Sequence, residues 1–261
     1  MSKLIDRLIQ TAETVSSPMG FRAARAVQPK PKMALIARVE PAENMAQLAD
    51  YVSSADAAII AQTGAEKNTV TDIARSLPGV TWGLWLEEKS RQQIKASAEA
   101  GADFIILPLN LDFGLPGTEK MSKILLVESS LGEGLIRTIN ELPVEAVLLT
   151  DDEKEKPALT WHQLMLCQRF SDLLFKPLLL TVPASVDSDE LKALWKAGVD
   201  GVVISVKTIK QAERLKELRQ IIEQSDFAAR PRIKVAALLP RIHEEISTVT
   251  TDVEEEEEEE E

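Results

Sequence analysis

The sequence predicts an α/β protein in which eight parallel strands, most of them followed by a helix, close into a barrel. Three observations carry that prediction. Eight short runs rich in Val, Ile and Leu recur along the chain: MALIARV (33–39), AAIIAQ (57–62), TWGLWL (81–86), FIILPL (104–109), ILLVES (124–129), AVLLTD (146–151), LLLTVP (178–183) and GVVISV (201–206). Each is apolar at successive positions, which suits strands covered on both faces, as in a parallel sheet. Helical spacing fills most of the intervals between them, and strand–helix alternation repeated eight times over roughly 190 residues is the plan of the (β/α)8, or TIM, barrel. Finally, 261 residues that are 44% hydrophobic can bury most of their apolar surface, in one large domain or two small ones.

Residues 3–15 open the chain as an amphipathic helix with Leu4, Ile5, Leu8, Ile9, Ala12 and Val15 along one side. Its mixed charges, Lys3, Asp6, Arg7 and Glu13, favour a plug for the bottom of the barrel over a helix lying on a membrane. Residues 18–32 follow as an arm with Arg22, Arg25, Lys30 and Lys32, no acid and three prolines. We therefore divide the chain into a helix and basic arm (1–32), the barrel (33–225), a C-terminal extension (226–246) and a disordered acidic tail (247–261).

Within the barrel, residues 88–100 read as a crossover helix with Ile94 and Ala98 inward and Gly101 as its stop. Residues 187–197 repeat that plan, with Asp and Ser at the N-cap, Leu191, Leu194 and Trp195 on one face, and Gly198 beyond. Residues 207–224 carry Ile209, Ala212, Leu215, Leu218 and Ile222 on one stripe and form the helix after strand eight. The fourth unit is stunted: NLDFGLPGTEKMS (110–122) holds two glycines and a proline where a parallel crossover needs about a dozen residues. In the extension, RPRIKVAALLPRIH (230–243) can supply one more extended segment.

Charge and composition exclude several functions. There are 30 Lys+Arg against 42 Asp+Glu, a net charge of −12, of which the closing glutamates Glu254 to Glu261 supply eight. That balance excludes a nucleic-acid binder, which holds phosphates with a basic face. No apolar run approaches the ~20 residues of a membrane span, and MSKLIDRLIQ is too charged for a secretory signal. A single cysteine, Cys167, cannot form an internal disulfide, and the expected location is cytoplasmic. Within LMLCQRF it reads as a core residue. Two histidines, His162 and His243, do not make a zinc site, and acid pairs such as Asp151 and Asp152 read as solvated loop groups, so we expect no metal and no cofactor. GLPGTEK (114–120) lacks the spacing of a nucleotide-binding loop and reads as a turn.

The run DSDELKALWKAGVDGVVISV (187–206) resembles the last quarter of the phosphate-binding (β/α)8 barrels, the group that includes the tryptophan and histidine biosynthesis barrels. LPGVTWGLWLEEKSRQQIKASAEAGADFIILP (77–108) is similar to the third and fourth units of ketodeoxyphosphogluconate aldolase and its relatives. The resemblance implies a site at the C-terminal ends of the strands. In that group, glycines after strands seven and eight let bare backbone amides hold a phosphate. Here Pro183 and Ala184 stand at the first place and Ser205 and Val206 at the second, so the glycine cup is absent. The aldolase lysine is absent too, since strand six reads AVLLTDD.

At the strand ends the candidate catalytic residues are Glu128 and Lys207, and the candidate substrate-binding residues are Arg38, Gln62, Asn110, Thr181 and Ser205. Glu128 still belongs to its apolar run, so its carboxylate is expected in the barrel mouth as a general acid–base, with Arg38 and Lys207 anchoring an anion. The other reading of Glu128 is an ion pair with Arg38 that closes the barrel top. One of Trp82 and Trp85 lines the mouth and the other packs beneath a helix, because neighbours on a strand alternate in direction. Two functions follow. One is a barrel binding a small phosphorylated or carboxylate metabolite, with lyase or isomerase chemistry if it is catalytic. The other is a non-catalytic barrel acting as a structural or interaction subunit, meeting a protein partner through its basic arm or acidic tail.

Overall fold

The eight apolar runs become eight strands of one closed parallel barrel, hydrogen-bonded in chain order with β8 returning to β1. The computed structural model describes residues 2–12, 32–40, 48–61, 67–86, 91–114, 117–150, 158–225 and 227. The strands are β1 (Ala34–Val39), β2 (Ala57–Ala61), β3 (Trp82–Trp85), β4 (Phe104–Pro108), β5 (Ser122–Glu128), β6 (Ala146–Thr150), β7 (Leu178–Val182) and β8 (Gly201–Val206). Helix α1 (Lys3–Ala12) precedes them, and α2 (Leu48–Val52), α3 (Lys67–Ser76) and α4 (Arg91–Glu99) follow the first three strands. After β5, β6, β7 and β8 come α5 (Glu133–Thr138), α6 (Trp161–Leu173), α7 (Ser188–Lys196) and α8 (Ile209–Gln224). The structure is thus the predicted (β/α)8 barrel. The fourth unit is stunted as expected: only a single 3-10 turn, Thr118–Lys120, stands between β4 and β5 among the described residues. The basic arm up to Pro31, most of the C-terminal extension and the acidic tail lie outside the described residues.

Unbroken apolar runs are required here because the strands feed two separate cores. Alternate residues such as Leu35, Ala37, Leu84, Ile105, Val147 and Ile204 face outward and pack with the surrounding helices. The intervening ones, among them Ile36, Ile59, Phe104, Ile124, Leu148 and Val203, fill the barrel. Gly83 makes room for Phe104: a Cβ at that position would come within 2.4 Å of the phenyl ring and 2.5 Å of the Phe104 carbonyl oxygen. Cys167 is buried in the outer core, as expected.

Helix α1 closes the barrel from below, as its charge pattern suggested. Leu4, Ile5 and Leu8 are buried and share one cluster with the barrel interior. An acid immediately before each even-numbered strand organises this floor. The carboxylate of Asp56 accepts from the Leu35 amide at 2.8 Å while the Asp56 amide donates to the Leu35 carbonyl at 2.7 Å. Glu145 makes the same reciprocal pair with Lys123, at 2.6 and 2.9 Å, and Asp200 with Leu178, at 2.8 Å in both directions. Asp103 differs: its amide still donates to Trp82, but its carboxylate turns to the start of α1 and accepts from the Ser2 hydroxyl and the Lys3 amide. That carboxylate satisfies donors that an α-helix leaves open at its N-terminus, so it fixes the plug. Asp56 adds ion pairs with Arg7 of α1, at 2.7 Å, and Arg219 of α8. Burial lowers the pKa of the Arg7 guanidinium, and the Asp56 charge opposes that shift.

Candidate functional site

With the interior packed and the floor plugged, the accessible end of the barrel is the C-terminal mouth, where (β/α)8 barrels carry their sites. Strand alternation decides which side chains reach it. Arg38 is in phase with Ala34 and Ile36, Thr181 with Leu179, Ser205 with Gly201 and Val203, and Glu128 with Ile124 and Leu126, so all four belong to the inner face. Thr150 on β6 shares that face and is the register partner of Glu128.

Three of these residues occupy one arc. Arg38 and Ser205 are direct cross-strand partners between β1 and β8, and Thr181 on the next strand pairs with Val203, one inner-face position below Ser205. Adjacent strands lie about 4.8 Å apart, so the three side chains share one wall of the mouth. The Thr181 hydroxyl is buried and has no hydrogen-bond partner among the described residues. The Arg38 guanidinium reaches across to β3 and lies 4.3 Å from the ring centroid of Trp85. That contact resolves the tryptophan question: Trp85 joins the barrel interior, whereas Trp82 packs outward with the helices. A cation held over an indole face is restrained by about 0.5–2 kcal/mol.

The other expected residues fall elsewhere. Glu128 is exposed on β5, and the Ser130 hydroxyl donates to it at 3.4 Å. Among the described residues no ion pair joins Arg38, Glu128 and Lys207, because β5 stands four strands from β1 around the ring. Among the described residues the alternative Arg38–Glu128 ion pair is not formed, and the Arg38 guanidinium lies over Trp85. Lys207 lies past the end of β8, with its ammonium 3.8 Å from Glu40 at the rim. Asn110 sits in an exposed turn between Leu109 and Leu111, which line the outer wall of the barrel. Gln62 lies outside the described residues, as do Asp151, Asp152 and His243. Among the described residues no three His, Cys, Asp or Glu side chains gather as metal ligands.

Several backbone groups after β7 and β8, where a glycine cup would lie, are engaged within the chain. Pro183 has no amide hydrogen, and its carbonyl accepts from the Val186 amide at 3.2 Å. The Ala184 and Val186 carbonyls accept from the Arg214 guanidinium at 3.1 and 2.9 Å. At the start of α8 the Lys207 and Thr208 amides donate to the Gln211 side chain at 2.7 and 3.1 Å, part of a capping box with Thr208. A second capping box, Asp187 with Glu190, closes α7. Each capping box thus engages the N-cap amide and the N3 amide of its helix, two of the donors that a bound anion could otherwise use.

No family model matches the chain, and no curated protein matches it in sequence. Solved structures do share its fold. A protein from Aquifex aeolicus VF5 superposes with a TM-score of 0.57 at 15% identity, over 73% of this chain and 94% of that one. Two variants of the tryptophan synthase alpha-subunit from the hyperthermophile Pyrococcus furiosus give TM-scores of 0.57 and 0.58 at 14% identity. Each is matched over 74% of this chain, and over 97% and 98% of its own length. Identities this low establish the (β/α)8 architecture alone. Among the described residues no helix is long and apolar enough to cross a membrane.

Proposed function

We propose that the barrel binds a small anionic metabolite at its C-terminal mouth, held by the side chains of Arg38, Thr181 and Ser205 in place of a backbone phosphate cup. One observation carries the reading. On the β7–β8–β1 arc, a guanidinium braced by Trp85 stands in register with Ser205, beside the buried hydroxyl of Thr181, which has no hydrogen-bond partner among the described residues. A cation flanked by two hydroxyls suits a carboxylate, which pairs with the charge and accepts from the hydroxyls. The same arc would make the chain a branch of the phosphate-binding barrels in which the anion site has been rebuilt from side chains. In this reading Glu128, across the mouth beside Thr150, would exchange a proton with the far end of a ligand anchored at Arg38, as lyase or isomerase chemistry requires. A non-catalytic interaction subunit is the second reading. It is favoured by the same carboxylate's exposure and by its distance from both Arg38 and Lys207.

A thermal-shift panel of keto acids, dicarboxylates, phosphorylated sugars and inorganic phosphate tests the proposal. An anion at 100 times its dissociation constant stabilises the protein by about 2.7 kcal/mol, and Arg38→Met should abolish that shift. A carboxylate should outperform phosphate. If no anion moves the transition, or if the Arg38→Met protein responds as strongly as the wild type, the mouth is not an anion site.

A further inference from the structure

The outer wall of the barrel is unevenly covered. Where the missing fourth helix would lie, the structure leaves an open groove of about 370 Å³, with Leu107, Leu111, Leu125, Pro143 and Val144 among its lining residues. Leu109 and Leu142, at 50% and 43% exposure, stand at its edges, and Phe113, 93% exposed, projects beside it. The bias continues around the barrel. Of nine exposed large hydrophobic side chains among the described residues, seven fall between positions 109 and 175. Leu135 is on α5, Trp161 and Met165 are on α6, and Phe175 follows α6, its amide bonded to the Asn140 side chain just before Leu142. The two exceptions, Ile9 and Ile209, lie on α1 and α8.

We propose that this wall, from β4 to α6, is the interface for a second copy of the chain, with Phe113 of each copy seated in the groove of the other. Projection and groove lie on the same face, and a two-fold axis needs just that arrangement, since it presents one patch to itself. Charge points the same way. The groove's lip carries Asp112 and Glu119 together with Lys123, so a two-fold pairing can set acid of one copy against lysine of the other. A surface of one sign would instead select a different, oppositely charged partner. Area is sufficient: at about 150–200 Å² for a fully exposed large side chain, the seven offer roughly 700–900 Å², close to the ~800 Å² per partner of a standard interface. The shortened fourth and fifth crossovers thus expose a docking face on the wall of the barrel.

Sedimentation velocity on the full chain at increasing concentration tests this. The wild type should be a dimer at micromolar concentration. Phe113→Glu, at a position too exposed to disturb the fold, should raise the dimer dissociation constant at least ~100-fold, with unchanged circular dichroism. Leu142→Glu, on the opposite edge of the groove, should act in the same direction, and Ile209→Glu on α8 should have no effect. A wild type that stays monomeric up to ~100 μM would overturn the proposal and leave the groove to another occupant. A dimer that survives both groove variants, or that Ile209→Glu breaks, would place the interface elsewhere.

Discussion

Replacing Asp56 with Ala should destabilise the barrel more than almost any other single polar change. Its side chain is 2% exposed and ties three elements: Arg7 of α1 at 2.7 Å, Arg219 of α8, and the Leu35 amide of β1 at 2.8 Å. Without it, two partly buried guanidiniums face each other and a strand amide loses its acceptor. Removing one partner of a buried ion pair costs about 3–5 kcal/mol, because the remaining charge is left uncompensated. At roughly 2–4 °C per kcal/mol for a domain of this size, Tm should fall by about 6–20 °C. Urea unfolding followed by circular dichroism would give the free energy directly, with the m-value unchanged. The loss should persist at ~0.5 M NaCl, which would screen an exposed pair. Because Asp56 and Arg219 act as a unit, Asp56→Ala combined with Arg219→Met should cost less than the sum of the single changes. A loss below ~1 kcal/mol, or one erased by salt, would refute the reading of this cluster as the clasp between plug and barrel.

Gly101 and Gly198 occupy equivalent places in two alanine–glycine–x–acid motifs and both have positive φ, yet Gly198→Ala should cost more. Each change bears the ~1–2 kcal/mol of a left-handed alanine, but a Cβ at Gly198 would also meet the Ser171 hydroxyl at 1.8 Å, whereas at Gly101 nothing lies within 4 Å. Equal losses in urea unfolding would show that Ser171 simply moves aside. Desolvation lowers the Lys176 pKa below its ordinary 10.5, with Glu145 and Glu141 opposing. The folded state therefore binds fewer protons than the unfolded state as pH approaches that value, so wild-type stability should rise with pH relative to Lys176→Gln. A pH-independent difference between the two would argue against that burial.

The fold was legible because it is written in periodicity. Eight apolar runs, the stop at Gly198 and the poverty of residues 110–122 in helix formers each correspond to an element or a missing one. The site was legible only in part, since a strand pattern tells how high a side chain stands and which way it faces, but not what lies across from it. Arg38 and Glu128 both reach the mouth, yet closure in chain order puts β1 and β5 on opposite sides, and the Arg38 guanidinium lies over an indole on β3. Trp85 could not be separated from Trp82 by composition, because both flank a glycine–leucine pair in a strand buried on both faces. One signal was available but unused: Asp187 with Glu190 and Thr208 with Gln211 are capping boxes three residues apart. Two such boxes predict that the helix N-termini after β7 and β8 have fewer open amides to offer a phosphate.

Thr181 offers the sharpest separation of function from folding. Its buried hydroxyl makes no hydrogen bond among the described residues, so folding gains nothing from it and bears the desolvation of a polar group, commonly about 1–3 kcal/mol. Valine keeps the β-branched shape that the strand prefers and replaces the hydroxyl with a methyl group. A residue kept only for packing would therefore be improved by Thr181→Val, and the variant should be more stable than the wild type by about 1 kcal/mol. If the hydroxyl is there to meet a ligand, the same change should weaken anion binding at the mouth, in parallel with Arg38→Met. Chemical denaturation and ligand-induced thermal shift on one variant give the two answers separately. A stabilised protein with weakened anion binding identifies Thr181 as part of a site held at the expense of the fold. If the variant is destabilised, the hydroxyl has a structural partner; if it is stabilised and binds anions as before, the β7 side of the mouth plays no part in recognition.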